Sequence, residues 1–197
     1  MSGDPMDNGQ DRLLSLLRER SYARRPVVLA SGRESDFFID VKQTALLAEG
    51  HLLLGAALLD ATEAFGPVQA VAGVALGGCS LASATAMQSA LRGAPRDAVY
   101  VRKAVKDHGS ARRIEGDTHL AEGTRIAVLE DVVTTGGSTL QAVATLREHG
   151  YEVAGVVAVV DRQEGGAEAI SQSGVPFVAL YDREAIERGI TGDVGDA

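Results

Sequence analysis

Ile126-Ala-Val-Leu-Glu-Asp-Val-Val-Thr-Thr-Gly-Gly-Ser-Thr139 is the stretch on which the fold turns. Ile126 to Leu129 is a short apolar run of the kind that makes a buried strand. Two adjacent carboxylates follow, Glu130 and Asp131, then Val132 and Val133. A loop of small and hydroxylated residues comes next, Thr134, Thr135, Gly136, Gly137, Ser138 and Thr139. A helical pattern opens at Leu140 and runs to Arg147.

Each part has a use in binding a phosphorylated sugar. A helix N-terminus offers unpaired backbone N–H groups and a partial positive charge, which attract phosphate. Gly136 and Gly137 let the backbone curl around an anion with no Cβ in the way. The hydroxyls of Thr134, Thr135, Ser138 and Thr139 add donors. The acid pair sits at a strand's C-terminal end, where open α/β sheets bind ligands. Carboxylates accept hydrogen bonds, so they suit the vicinal hydroxyls of a ribose, or Mg²⁺ near them. A plain strand–turn–helix needs one cap and one glycine, not this assembly. The loop is neither a Walker A nor a dinucleotide fingerprint.

Outward from this stretch, composition sets bounds. The chain has 197 residues, enough for one domain with a sizeable core. Its net charge of −8 argues against a general nucleic-acid surface, so any basic cluster stands out. One cysteine, Cys79, excludes an internal disulfide and a cysteine-based zinc site, and fits a reducing, cytoplasmic setting. No apolar run approaches the ~18 residues of a membrane span. Residues 1–10 read as a polar tail.

Strand and helix patterns alternate along the chain. Asp11 to Arg20 reads as a short amphipathic helix. Val27–Leu29 and Phe37–Val41 are strand candidates close enough to form an antiparallel hairpin. Gly50 to Phe65 is a helix closed by Gly66-Pro67, and Ala70 to Val74 a buried strand. A glycine-containing loop, Ala75 to Ser80, leads into a helix over Leu81–Leu91, and Ala98 to Val101 is a further strand. Residues 103–118 lack apolar periodicity and read as a long mobile loop. After the central strand and helix come an apolar strand over Val153–Val160, a helix near Ala167–Ser173 and a strand near Val175–Tyr181. The alternation predicts an α/β fold, a central mostly parallel sheet flanked by helices.

Two more loops carry chemistry. Leu76, Gly77 and Gly78 follow a strand and precede a helix, so their amides suit a pyrophosphate. Arg102 to Arg113 holds five Lys or Arg in twelve residues of an acidic protein, together with His108. Such a run is usually a solvated face. Here it follows a strand end, and cations with an imidazole would stabilise charge growing on an anionic leaving group.

The central stretch resembles the phosphoribosyl pyrophosphate (PRPP) motif of type I phosphoribosyltransferases. Arg102-Lys103-x-x-Lys106-Asp107-His108-Gly109 is similar to the catalytic loop of the orotate phosphoribosyltransferases. Ser31-Gly32-Arg33-x-Ser35-x-Phe37-Phe38 resembles that family's N-terminal base-binding segment. Asp161-Arg162 with Gly165-Gly166 resembles its later strand-end segment. The resemblance runs from about residue 12 to 190, and implies the type I fold with a small N-terminal hood.

The resemblance implies a Mg²⁺-dependent pentosyltransferase that joins orotate to PRPP, giving orotidine 5′-monophosphate and pyrophosphate in pyrimidine synthesis. It assigns Lys103, Lys106, His108 and Asp131 to catalysis. PRPP would meet Arg102, Lys103, Lys106, His108, Glu130, Asp131, Val132, Val133, Thr134, Thr135, Gly136, Gly137 and Ser138, and its pyrophosphate Leu76, Gly77 and Gly78. Orotate would meet Phe37, Phe38, Thr134 and Arg162, arginine suiting a planar acceptor pattern. Adjacent strand residues face opposite ways, so one of the two phenylalanines belongs to the core. Mg²⁺ would be held mainly through PRPP and water, with no direct protein ligand. The family implies a homodimer whose basic loop reaches the neighbouring subunit's site. Where many relatives carry Lys, this chain has Ala30 in the first segment and Gly77 in the pyrophosphate loop.

Two alternatives remain on the sequence. A phosphoribosyltransferase for a purine base would keep the phosphate loop and should lack the Lys-Asp-His-Gly loop. A non-catalytic PRPP-sensing regulator would bring a DNA-binding domain or a basic face.

Overall fold

A computed structural model describes residues 5–28, 34–103 and 113–188. Ala30, Ser31, Gly32, Arg33, Lys106 and His108 therefore lie outside the described residues.

The sheet is built from strands that need cover on both faces. β3 (Ala70–Val74), β6 (Arg125–Val133) and β7 (Glu152–Asp161) are almost wholly buried. Side chains alternate along a strand. Ile126 and Val128 accordingly join a cluster with Ala142, Val143 and Leu146 of helix α5 (Gly137–Glu148). Ala127 and Leu129 join a second cluster across the sheet. That cluster includes Leu54 and Leu58 of α3 (Ala48–Thr62) and Leu81 of α4 (Gly77–Leu91). Each fully buried leucine contributes about 1.5–3 kcal/mol, so these stripes fix which helix covers which face.

With β4 (Asp97–Val101), β5 (Ile114–Glu115) and β8 (Phe177–Asp182), the strands lie in the order β5-β4-β3-β6-β7-β8. All neighbours are parallel except the antiparallel β4–β5 pair. From β3 the chain steps outward to β4, and from β6 it steps the other way to β7 and β8. The order reverses between β3 and β6, and the loops beyond their C-terminal ends diverge to leave a crevice.

The expected hairpin forms as a separate two-stranded sheet, β1 (Tyr22–Val28) and β2 (Glu34–Ile39), with Arg24 opposite Phe37. Such a hairpin alone is marginal. Phe37, fully buried in the cluster that holds Leu13 and Leu17, roots it in the core, while Phe38 is only half-buried.

Several boundaries differ from the sequence reading. Helix α1 (Pro5–Leu16) begins before Asp11 and passes into a π-turn over Leu17–Ser21. Helix α4 begins at Gly77 rather than Leu81, because the glycine loop itself forms its first turn. The segment read as a loop over 103–118 contains β5, whose two residues are too few to show a period. The short helices α2 (Lys42–Ala45) and α7 (Arg183–Glu187) were not expected, and α6 spans Gly166–Gln172.

Candidate active site at the strand-order reversal

The loops after β3 and β6 meet at the crevice, and each leads directly into a helix. Neither α4 nor α5 has a side-chain cap at its N-terminus. Their first-turn amides are therefore left to other acceptors. Two uncapped helix starts after neighbouring strands offer amides and positive dipole ends suited to anions. Gly136 has φ +78°, a left-handed conformation that turns the chain sharply into α5. A Cβ there would also stand 3.1 Å from the Gly166 carbonyl oxygen. The loop before α6 thus packs under the phosphate loop.

Glu130 and Asp131 end the buried part of β6 and serve different helices. Glu130 is 2 % exposed. Its Oε2 accepts from the Thr139 hydroxyl at 3.0 Å and the Ser138 hydroxyl at 3.3 Å, both on the first turn of α5. Burial pushes Glu130 up to about 8, with the Asp131 charge adding to the rise; the Thr139 hydroxyl and the Lys103 charge oppose it. A shared hydrogen bond with Asp131 favours the protonated Glu130 further. Glu130 thus keeps its proton at neutral pH while Asp131 stays open at the crevice. Asp131 Oδ1 accepts from the Val132 amide at 3.0 Å.

The pyrophosphate-loop candidates pack onto this acid pair. A Cβ built on Gly77 would stand 1.9 Å from Asp131 Oδ2, and one on Gly78 would stand 2.5 Å from the Leu129 carbonyl oxygen. Glycine is what lets the start of α4 press against the end of β6. Leu76 points outward and is 76 % exposed. Cys79 is half-buried on the next turn, and burial pushes its thiol up.

Arg102 and Lys103 begin the basic segment at the end of β4. Arg102 pairs with Glu115 at 2.8 Å, and its amide donates to the Arg113 carbonyl at 2.8 Å. The ends of the segment are thus tied together beside the crevice. Lys103 is exposed, and its charge acts on Glu130.

The base-binding candidates come together across the chain. Arg162 follows β7, and its amide donates to the Val133 carbonyl at 3.0 Å, locking it to the end of β6. Its Nη2 donates to the Phe37 carbonyl at 3.1 Å and lies 2.9 Å from Glu164 Oε1. Phe38 instead turns toward Arg25, whose guanidinium carbon stands 3.8 Å from the ring centroid. Of the residues expected to meet the base, Phe37 and Arg162 are in direct contact. Thr134 is half-buried at the loop entry and Thr135 is exposed. Lys42, near the hood, is paired with Asp40 at 2.5 Å.

Sequence reasoning passed over Glu164 and Arg183. Glu164 sits two residues from Arg162 in Asp161-Arg-Gln-Glu164, a local signal that an ion pair was available. Arg183 reaches Asp36 across 147 residues, and no pattern in the chain announces that contact.

Comparison with known proteins bears on this geometry. The phosphoribosyl transferase domain family matches residues 56–172. The chain is 60% identical over 174 residues to orotate phosphoribosyltransferase of Sorangium cellulosum, covering 88% of this chain and 91% of that one. It is similar to the crystal structure of Mycobacterium tuberculosis H37Rv orotate phosphoribosyltransferase in complex with Fe(III) dicitrate. That likeness has a TM-score of 0.77 at 36% identity over 90% of this chain and 98% of that one. The same M. tuberculosis enzyme in complex with PRPP matches with a TM-score of 0.73 at 33% identity, again over 90% and 98%.

Proposed function

The chain belongs to the phosphoribosyl transferase domain family, and within it to the orotate phosphoribosyltransferases, and from that premise we propose how its residues divide the work. The reaction is transfer of phosphoribosyl from PRPP to orotate, giving orotidine 5′-monophosphate and pyrophosphate in de novo pyrimidine biosynthesis. A ring nitrogen of orotate attacks C1′ of the ribose, and the C1′–O bond to pyrophosphate breaks with its electron pair leaving on oxygen. The protein has two tasks, to hold both substrates in line and to stabilise charge on the leaving group.

The observation that carries the assignment is the pair of uncapped helix starts after neighbouring strands, α4 against Asp131 and α5 against Glu130. The α5 start, with Thr134 to Ser138, takes the 5′-phosphate. The α4 start, with Leu76, Gly77 and Gly78, takes the pyrophosphate through backbone amides. Asp131 accepts from the ribose hydroxyls, and the protonated Glu130 holds the first turn of α5 in register. Lys103, Lys106 and His108 meet the pyrophosphate, with Arg102 at the base of their segment. Thr134 and Arg162 face orotate, Phe38 lines the approach, and the buried Phe37 backs the pocket through its carbonyl on Arg162.

Among the described residues no group of three or more His, Cys, Asp or Glu could hold a metal ion. At the crevice the donor set is Asp131 and a carboxyl that favours its proton. That set fits Mg²⁺ carried by PRPP oxygens and water, with Asp131 as the protein carboxylate on hand. Bound there, the ion would neutralise leaving-group charge.

The assembly read here is one domain, working as a homodimer in the cytoplasm with the basic loop serving the neighbouring subunit's site. Exposed Leu52, Met87 and Leu91 on α3 and α4 are apolar surface that fits a partner. No helix among the described residues is long and apolar enough to cross a membrane.

The test is loss of orotate absorbance with PRPP and Mg²⁺, run beside Lys106→Ala. Turnover that collapses in the variant supports the assignment. PRPP binding without orotate consumption would sink it.

A further inference from the structure

Arg183, the first residue of α7, stands outside the machinery assigned above, yet it grips the strand that carries Phe37. Its Nη2 donates to Asp36 Oδ1 at 3.0 Å. The same guanidinium bonds Glu187 one turn on, at 3.3 Å from both Nε and Nη2. Its carbon lies 5.1 Å from the centroid of the Phe37 ring, and that of Arg162 lies 5.4 Å from the same ring. Tyr22, across the hairpin, packs on this ring at 5.2 Å.

Helix α7 is itself anchored. Asp182 caps it by accepting from the Ala185 amide at 2.6 Å. Arg18 donates to the Ala185 carbonyl at 2.7 Å, the Ile186 carbonyl at 3.1 Å and the Arg188 carbonyl. The order of contacts is therefore Arg18, α7, Arg183, then Asp36 and Phe37, then Arg162.

The core roots the hairpin through Phe37 and Ile39, and this chain of contacts adds a polar hold on the exposed side of β2 at Asp36. Phe37 is fixed by its ring, which Arg183 approaches, and by its carbonyl, which Arg162 bonds. If the ring shifts, the carbonyl shifts with it, and the Arg162 fork is re-aimed. A guanidinium that must meet a planar carboxylated ring edge-on tolerates little re-aiming.

We infer that Arg183 is a positioning residue for the orotate pocket, holding β2 so that Phe37 and Arg162 meet, and thereby setting orotate affinity without touching orotate. The inference rests on the assignment of Arg162 to orotate, with Phe37 behind it. The phosphate and pyrophosphate loops follow β6 and β3, and the contacts of Arg183 described above run to Asp36, Glu187 and the Phe37 ring, so PRPP binding should be indifferent.

The experiment is steady-state kinetics of the full chain as Arg183→Gln, Arg183→Lys and Asp36→Asn, each substrate varied in turn, with Tm recorded for each. Arg183→Gln should raise KM for orotate about tenfold, well short of the ~10²-fold that gross misplacement causes, with KM for PRPP and kcat nearly unchanged. Arg183→Lys, which keeps the charge near Asp36 and the ring, should recover most of the loss. Asp36→Asn should raise KM for orotate too, and the double variant with Arg183→Gln should be little worse than Arg183→Gln alone. An equal rise in both KM values with a fall in Tm would show a merely structural residue and overturn the inference. So would an unchanged KM for orotate while the unaltered chain turns over. If Arg183→Gln fails to fold, Arg183→Lys and Asp36→Asn decide by the same split. An unaltered chain that does not consume orotate would overturn the functional assignment, and the inference with it.

Discussion

Gly77 and Asp131 touch so closely that a Cβ on the glycine would stand 1.9 Å from the Asp131 carboxylate. The start of α4 and the end of β6, more than fifty residues apart in the chain, thus share one surface at the crevice. The atoms met belong to the Asp131 carboxylate, which accepts from the Val132 amide at 3.0 Å, so a methyl group there must displace either that carboxylate or the start of α4.

Gly77→Ala should therefore displace the Asp131 carboxylate or the start of α4. The fold should persist, because the clash is with the half-buried Asp131 side chain and not with a core strand or helix backbone. A displacement near an ångström costs on the order of 10²-fold in catalysis. Steady-state kinetics with PRPP varied, beside circular dichroism, checks this. An alanine variant with unaltered kcat/KM would show that the contact has no part in the reaction.

Glu130 makes stability depend on pH in a definite direction. Burial, then the Asp131 charge, raises its folded pKa to about 8, above the ordinary value of 4.5. Its contribution is complete below about pH 4.5 and is lost as pH rises through about 8. Tm of the unaltered chain minus Tm of Glu130→Gln should fall steadily across that window and level off above it. Thermal unfolding at a series of pH values reads this difference. A flat difference would mean that Glu130 is ionised in the folded chain.

Thr139→Val is nearly isosteric and removes the hydroxyl that bonds Glu130 at 3.0 Å. Thr139 is fully buried, so no water replaces the lost donor. The expected cost is about 1 kcal/mol, a typical hydrogen bond with one partner retained, since Ser138 still donates. Urea unfolding measures it. The Thr139 bond also holds the Glu130 pKa down, so the loss of stability with rising pH should start at the same pH in the variant and extend to higher pH.

Arg162 bonds the Phe37 carbonyl and pairs with Glu164 while nearly buried. Arg162→Lys keeps the charge and loses the planar fork, so KM for orotate should rise roughly 10–100-fold, the worth of a charged hydrogen bond. KM for PRPP should change far less. Varying each substrate separately tests the split, and equal changes in both would place Arg162 outside the base pocket.

The sequence by itself determined the strand–loop–helix over residues 126–147, the alternation that forces a parallel sheet, and the chemistry of the phosphate loop. These are local: strand burial shows as an apolar run, and an anion-binding turn shows as glycines and hydroxyls in order. The hairpin was legible too, as was the rule that one of Phe37 and Phe38 must be core. Tertiary structure alone decided what lies beside what. The reversal of strand order between β3 and β6 brings Gly77 against Asp131, and no period in the chain encodes strand order. It also separated two acids that look equivalent in sequence. Glu130 is buried under α5 and keeps a proton, while Asp131 remains at the crevice. The Arg162–Phe37 and Arg183–Asp36 contacts link positions 125 and 147 residues apart. Short elements such as β5 and α7 lack the length to carry a period, and they form because the sheet edge and Arg18 supply their partners. Local chemistry is written along the chain, whereas desolvation and proximity arise only once distant segments pack.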